Sequence, residues 1–167
     1  MPKIDIIPAA SGHLLAIKDI YNHYIATTHI NFETTPYDDE YMQKWLQQFA
    51  QNSRHQAFVA LSNGELVGFA MSQAFRPKPA YSTSVEITVY LTQNAAGKGL
   101  GKQLGQHLLA ILATQDVHRV FACIALPNDA SIGLHKSLGF SQTAHLTEVG
   151  RKFGNYYDVV YLEYKFD

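Results

Sequence analysis

The most constraining feature of the sequence is a glycine-rich turn between a strand-like segment and a helix-like segment. Residues 84–91 alternate apolar and polar side chains, as a strand buried on one face does. Residues 99–114 place leucines along one stripe at helical spacing. Gly97, Gly99 and Gly101 stand at alternate positions where the two segments meet. We therefore expect a strand that ends directly at the N-terminus of an amphipathic helix.

This turn has two interpretations. A helix N-terminus presents unpaired amide groups and a partial positive charge, and glycines let a phosphate approach the backbone closely. Gly97, Gly99 and Gly101 would then form a phosphate cradle. Alternatively, the glycines serve a strand-to-helix turn that needs unusual backbone angles.

Two common phosphate-binding motifs do not fit. A P-loop would need glycine in place of Ala96 and serine or threonine in place of Gln103. A dinucleotide-binding fingerprint would need its third glycine in place of Lys102 or Leu104. The sequence therefore favours neither class of nucleotide-binding protein.

The remaining segments predict a mixed α/β fold in one domain, residues 1–167. The unit from residue 84 to residue 126 is predicted to be a right-handed βαβ crossover. The apolar run 120–126 is typical of a strand covered on both faces, and its lone Cys123 is expected in the core. Other predicted strands cover residues 4–7, 57–61, 66–72, 142–149 and 156–166. Other predicted helices are one capped by Ser11 and ending near Thr27, one over residues 37–51 and one over residues 132–138.

Composition limits the partners. The formal net charge is -1, so no basic face that would bind nucleic acid is expected. A single cysteine cannot form an internal disulfide, and no long apolar run indicates a signal peptide or membrane span. The eight histidines lack close zinc-ligand spacing, so no metal is expected. We expect a cytoplasmic protein.

The glycine turn, read as Ala96-Gly97-Lys98-Gly99-Leu100-Gly101, resembles the pyrophosphate loop of the GNAT superfamily of N-acetyltransferases, although Ala96 replaces a polar first residue. Further segments narrow the resemblance to the phosphinothricin acetyltransferase subgroup. These segments are residues 32–36 (Phe-Glu-Thr-Thr-Pro), 85–91, 125–131 (Ala-Leu-Pro-Asn-Asp-Ala-Ser), 134–140 (Leu-His-Lys-Ser-Leu-Gly-Phe) and 148–154 (Glu-Val-Gly-Arg-Lys-Phe-Gly). The resemblance implies a GNAT fold with a mostly antiparallel mixed sheet between helices, acetyl-CoA as donor, a homodimer, and a small amino-acid-like amine as acceptor.

Two residues are candidate catalysts. Amide formation needs an unprotonated amine, so a base must take a proton directly or through water. Glu86 lies on the polar face of its strand, and the resemblance implies that it is this base, whereas periodicity alone favours an exposed carboxylate. His135 takes the place of a tyrosine that protonates the leaving thiolate in many relatives, but a lone helical histidine is more often structural.

The resemblance also implies binding residues. The pantetheine arm of the donor would run beside the backbone of Val89, Tyr90 and Leu91, and the diphosphate would bind Gly97, Lys98, Gly99, Leu100, Gly101 and Lys102. Asn128 and Ser137 are further cofactor ligands, although Asn128 could instead cap a helix. Phe32, Glu33 and Arg76 are the candidate acceptor-binding residues, with Arg76 placed to hold a carboxylate or to remain a solvated loop charge.

Three functions remain open from the sequence. The first is N-acetylation of a phosphinothricin-like or methionine sulfoximine-like amine by direct attack in a ternary complex. The second is acetylation of a protein, a peptide or another small amine. The third is a non-catalytic acyl-CoA sensor.

Overall fold

A seven-stranded mixed sheet with helices on both faces forms the protein, as described by a computed structural model of residues 2–167. The strands are β1 (Ile4–Pro8), β2 (Ala57–Ser62), β3 (Glu65–Ala74), β4 (Ser84–Leu91), β5 (Arg119–Ala125), β6 (Ser141–Lys152) and β7 (Asn155–Lys165). The helices are α1 (Leu14–Thr27), α2 (Asp39–Leu46), α3 (Leu100–Leu112) and α4 (Asp129–Ser137). The predicted fold class is confirmed.

The strand order is β1-β2-β3-β4-β5-β7-β6, and the pairings are antiparallel except between β4 and β5. These two parallel strands flank α3, which confirms the predicted βαβ unit. Their ladder covers Ser84–Glu86 of β4 and Arg119–Phe121 of β5. Beyond these residues the two strands no longer pair with each other, so the sheet has a gap between its halves.

Each face of the sheet has its own apolar core. The leucine stripe of α3 packs with the inward side chains of β4, such as Val85 and Ile87, on one face. On the other face α1 and α2 cover β2 and β3 with an aromatic group that includes Tyr21, Trp45 and Phe69. The alternation in β4 therefore points Glu86, Thr88 and Tyr90 toward the side of α1 and α2.

The second helix is shorter than predicted. The sequence predicts a helix over residues 37–51, but α2 covers Asp39–Leu46. The side chain of Asp38 accepts a hydrogen bond from the Tyr41 amide and fixes the start of the helix. After Leu46 the amides of Gln48 and Phe49 donate hydrogen bonds to the Trp45 and Leu46 carbonyls, three residues back, so the chain leaves the helix in a tight turn.

No helix within residues 2–167 combines the length and the apolar character needed to cross a membrane.

Candidate active site

A cleft of about 540 Å³ opens where β4 and β5 stop pairing, and we call it the β4–β5 cleft. Its walls come from the ends of both strands, the glycine turn, the start of α3 and the inner side of α4. Ten of the predicted site residues line it: Val89, Tyr90, Leu91, Gly97, Gly99, Gly101, Lys102, Asn128, His135 and Ser137. Lys98 and Leu100 do not line it; Lys98 is exposed at the surface next to the cleft, and the Leu100 side chain lies in the core.

The glycine turn has the geometry of an anion cradle. Gly97 and Gly99 have φ angles of 75° and 76°, which favour glycine, and no atom lies within 4 Å of a Cβ built on either. Gly99 precedes α3, and the first backbone bond of the turn runs from the Gln103 amide to the Gly99 carbonyl at 3.2 Å. The amides of residues 100–102 lie before that bond, where a helix offers them no internal acceptor. The first turn of α3 carries no acidic side chain.

Gly101 serves a different purpose from the other two glycines. A Cβ atom at this position would lie 3.3 Å from Leu134 Cδ2 and 3.6 Å from Leu91 Cδ1. The missing side chain therefore lets α3 approach α4 and β4 closely. This approach holds the start of α3 against the wall of the β4–β5 cleft.

The exposed edge of β4 forms another wall of this cleft. From Ile87 onward the side of β4 that faces β5 has no partner strand. Tyr24 of α1 fixes the end of the edge, because its hydroxyl donates a 2.8 Å hydrogen bond to the Leu91 carbonyl. An extended ligand can add to such an edge as a strand would.

A second cavity, of about 450 Å³, lies on the side of β4 that faces α1 and α2. We call it the aromatic cavity, since its lining includes Tyr21, Phe32, Tyr37, Tyr41, Trp45 and Tyr90. Glu33 and Glu86 also line it, whereas no lysine or arginine does within the described chain. It shares five lining residues with the β4–β5 cleft: Ile30, Thr88, Tyr90, Cys123 and Ala125. The two spaces therefore meet on the polar face of β4.

Glu86 is half-buried at the aromatic cavity rather than exposed on an open sheet face. It stands opposite Gln73 of β3 and Phe121 of β5. Burial raises the pKa of its carboxyl group, and the positive charge of Arg76 partly opposes that rise. A carboxylate with a raised pKa is a better proton acceptor than an ordinary surface carboxylate, so its position and its pKa both suit a base.

Arg76 lies outside the aromatic cavity. Its guanidinium group sits 4.3 Å from the centre of the Phe75 ring and donates a long 3.4 Å hydrogen bond to the Tyr161 hydroxyl. The side chain lines a third cavity, of about 610 Å³, which is otherwise formed by residues away from the predicted site. The structure therefore does not bring Arg76 together with Phe32 and Glu33, and its role in acceptor binding stays a prediction.

His135 is buried, with 4% of its surface exposed. Its Nδ1 lies 2.8 Å from the Ser131 carbonyl oxygen, so this nitrogen carries the proton and donates. Nε2 is buried without a hydrogen-bond partner among the described residues, and burial lowers the pKa of the imidazole. A neutral ring of this kind has no proton to give from Nε2, so the geometry favours the structural alternative.

The polar groups of α4 are partly engaged within their own helix. Asn128 Oδ1 accepts a 3.2 Å bond from the Ser131 amide, which makes it the N-cap, as the alternative interpretation expected. Ser137 Oγ donates to the Leu134 carbonyl at 2.7 Å. Both side chains still line the β4–β5 cleft, so their roles as cofactor ligands stay predictions.

The expectation that Cys123 is a core residue was wrong. Val120, Ala122 and Ile124 of β5 are buried toward α3, but Cys123 points to the opposite side, where no helix covers the strand, and the residue is exposed. It lines both the β4–β5 cleft and the aromatic cavity. Burial of its surroundings and the nearby Glu86 charge both raise the pKa of the thiol. The thiol is therefore kept protonated, which makes it a weak nucleophile.

Sequence reasoning missed the polar network that supports the aromatic cavity. Asn31 Nδ2 donates to the Tyr90 hydroxyl at 3.2 Å, and Asn31 Oδ1 accepts from the Glu33 amide at 2.8 Å. Burial raises the pKa of Tyr90 to about 12, so this hydroxyl stays protonated. Lys152 adds a bond to the Asn31 carbonyl from 121 residues away. No local motif signals contacts of this range.

Comparisons with known proteins agree with this geometry. The family model for the acetyltransferase (GNAT) domain matches residues 13–161. Phosphinothricin N-acetyltransferase of Streptomyces coelicolor is 40% identical over 163 residues, which are 96% of this chain and 95% of that protein.

Solved structures give the same result. Ribosomal-protein-alanine N-acetyltransferase of Brucella melitensis superposes with a TM-score of 0.93 at 33% identity and covers 97% of this chain and 99% of that chain. The GNAT superfamily phosphinothricin acetyltransferase of Sinorhizobium meliloti, solved in complex with acetyl-CoA, has a TM-score of 0.92 at 28% identity and covers 97% and 88%. The chain therefore belongs to the GNAT acetyltransferase family and resembles its phosphinothricin acetyltransferase members along nearly its whole length.

Proposed function

We propose that the protein transfers the acetyl group of acetyl-CoA to the primary amine of a small amino-acid-like substrate of the phosphinothricin or methionine sulfoximine type. The observation that carries the proposal is the meeting of two cavities on the polar face of β4. One contains the glycine cradle, and the other contains Glu86. Two substrates entering from opposite sides would bring a thioester and an amine together near Thr88 and Tyr90.

The β4–β5 cleft fits acetyl-CoA. In this proposal the amides at the start of α3 bind the diphosphate together with Gly97 and Lys102, which line the cleft, and with the exposed Lys98 between them in sequence. The unpaired edge of β4 from Val89 to Leu91 holds the pantetheine arm, and one of its amides polarises the thioester carbonyl. Asn128 and Ser137 would contact the same arm from α4.

Glu86 would act on the acceptor in the aromatic cavity. It takes a proton from the ammonium group, directly or through water, and the free amine then attacks the thioester carbon. The new C–N bond forms, the C–S bond breaks, and the CoA thiolate leaves with the electron pair. The nitrogen then loses its second proton to water and becomes a neutral amide, and the thiolate takes a proton from solvent to give free CoA. Phe32 and Glu33 would bound the acceptor, and Arg76 would reach its acidic group after leaving the Phe75 ring.

Release of free CoA in the presence of acetyl-CoA tests this proposal. The panel consists of phosphinothricin, methionine sulfoximine, methionine sulfone, several ordinary amino acids and simple amines. Amine-dependent release with a preference for the first three compounds supports the proposal. Tight acetyl-CoA binding without release for any amine would favour the acyl-CoA sensor instead.

A second candidate function is acetylation of a protein or peptide amine. The name of the Brucella melitensis structure favours it. The aromatic cavity has a volume of about 450 Å³, which is in the range of small-molecule sites. Competition between a peptide panel and free amino acids in one assay separates the two functions.

The proposed form is a cytoplasmic homodimer that needs no metal and binds no nucleic acid. Exposed apolar side chains on the β6–β7 hairpin support the homodimer: Leu146, Val149, Phe153 and Tyr156 are between 40% and 60% exposed. Sedimentation of the wild type and of Val149→Asp tests it. A monomeric wild type would remove the homodimer from the proposal.

A further inference from the structure

The segment Asn31–Glu33 forms one wall of the aromatic cavity but belongs to no helix or strand. Its position must therefore be fixed by contacts from elsewhere in the chain. Two such contacts come from the end of β6, namely from Gly150 and Lys152. Neither residue lines the aromatic cavity itself.

Gly150 provides the surface on which Phe32 rests. A Cβ atom at Gly150 would overlap three atoms of the Phe32 ring, with Cζ at 2.5 Å and Cδ2 at 2.9 Å. The ring therefore lies directly against the backbone of β6. Any side chain at this position would push Phe32 away from its place in the cavity wall.

Lys152 holds the backbone of the same segment. Its side chain is buried, with 4% of the residue exposed, and its Nζ donates a 2.6 Å hydrogen bond to the Asn31 carbonyl. The Asn31 side chain in turn forms hydrogen bonds with the Tyr90 hydroxyl and the Glu33 amide, so the position of Asn31 affects the positions of both residues. Burial lowers the pKa of Lys152, and the negative charge of Glu33 opposes that fall only in part.

We propose that Gly150 and Lys152 are specificity-determining positioning residues, which set the width of the aromatic cavity through Phe32 and the place of its negative charge through Glu33. This inference rests on the proposed function, since it assigns the aromatic cavity to the acceptor amine. The hairpin thus selects the acceptor without touching it. The aromatic rings and the Glu33 carboxylate of this wall would both attract the ammonium group of the acceptor.

The first test measures position without turnover. Hydrogen exchange over residues 30–34 is compared between the wild type, Lys152→Met and Lys165→Met. Lys165 is an exposed lysine on β7 and serves as the matched control. Loss of the buried charged bond should speed exchange in this segment about tenfold in Lys152→Met, with no change in Lys165→Met. Equal exchange in all three proteins would overturn the anchoring role, whatever the protein catalyses.

The second test measures selectivity. Lys152→Met should raise the KM for the amine about tenfold with little change in the KM for acetyl-CoA, and Lys152→Arg should restore part of the loss. Gly150→Ala should change the order of preference in the amine panel, while Gly12→Ala, at an open surface position, should not. Unchanged amine KM values and preferences in both β6 variants would overturn the proposal.

If Gly150→Ala destabilises the fold, a second substitution at Phe32 compensates for it. Gly150→Ala with Phe32→Leu relieves the overlap with the ring, so the thermal midpoint should recover, while the amine preference should differ both from the wild type and from Phe32→Leu alone. Recovery of the wild-type preference together with stability would count against a role in selectivity. If the wild type releases no CoA with any amine, the proposed function fails, but the exchange comparison still decides the anchoring role.

Discussion

The Tyr24 hydroxyl donates a 2.8 Å hydrogen bond to the Leu91 carbonyl and so joins α1 to the last residue of β4. The Tyr24 ring also packs against Tyr90, with the ring centroids 4.8 Å apart. One aromatic residue therefore supports both the unpaired edge of β4 and the side chain at which the two cavities meet. The position of the proposed pantetheine edge depends on a helix from the first quarter of the chain.

Tyr24→Phe should lower the free energy of unfolding by about 1 kcal/mol, because one partly buried hydrogen bond is lost while the ring remains. The KM for acetyl-CoA should rise more than the KM for the amine. Denaturant unfolding and steady-state kinetics measure the two effects. Tyr81→Phe is the matched control, since Tyr81 is exposed on the loop after β3. A larger change in the amine KM would contradict the assignment of the edge to the donor.

Glu86→Gln should lower kcat at least about 100-fold, because a neutral amide cannot accept the proton that general-base catalysis requires. Acetyl-CoA binding should persist, since Glu86 does not line the β4–β5 cleft. Calorimetry gives the affinity, and thiol release gives the rate. Wild-type turnover in this variant would remove Glu86 as the base.

Arg76→Met should move the acid limb of the kcat profile to higher pH. A base works only when unprotonated, so activity is lost as pH falls through the Glu86 pKa, which burial has raised above 4.5. The Arg76 charge lowers that pKa, and its removal lets the pKa rise further. Measuring kcat at saturating substrate from about pH 5 to pH 9, for the wild type and for Arg76→Met, gives the position of the acid limb. The pKa of the substrate amine does not depend on Arg76, so a shift of the limb reports on Glu86. An acid limb at the same pH in Arg76→Met and in the wild type would exclude coupling between Arg76 and Glu86.

His135→Phe should keep kcat within about threefold of the wild type if the imidazole is structural, whereas loss of a general acid costs about 100-fold or more. It should also change the pH dependence of stability. The His135 pKa is lowered below 6.5 in the folded protein, so the unfolded state binds the extra proton as pH falls through 6.5. The contribution of the neutral His135 to the free energy of unfolding is therefore fully present above this pH and decreases as the pH falls below it. The decrease in stability on acidification should be smaller in His135→Phe. Thermal midpoints at about pH 7.5 and about pH 5.5 test the difference.

Cys123→Ala should retain kcat within about threefold, because direct attack by the amine needs no acyl-cysteine and the raised thiol pKa disfavours the thiolate. Loss of a covalent nucleophile would instead abolish turnover. Mass spectrometry of the wild type after mixing with acetyl-CoA alone gives an independent measurement. An acetyl adduct on Cys123 that is consumed by the amine would replace the direct mechanism.

Local patterns predicted the parts of the site that lie close together in sequence. The alternation in β4 placed Glu86 on the polar face, and the glycines marked the start of α3, because both features depend on neighbouring residues. The prediction that Cys123 lies in the core was wrong, because a continuous apolar run has the same sequence pattern whether or not a helix covers the second face of the strand. The contacts of Asn31 with Tyr90 and Lys152 were not predictable, because they join segments 59 and 121 residues apart.

The three-residue ladder between β4 and β5 has a structural consequence for the whole molecule. One half of the sheet carries α1 and α2, the other half contains the β6–β7 hairpin, and this short ladder joins the two halves next to the β4–β5 cleft. The pantetheine arm of the proposed donor, lying along β4 in this cleft, would bridge the two halves as an added strand does. We therefore expect the protein to reach its most rigid state when one of its own substrates completes the sheet.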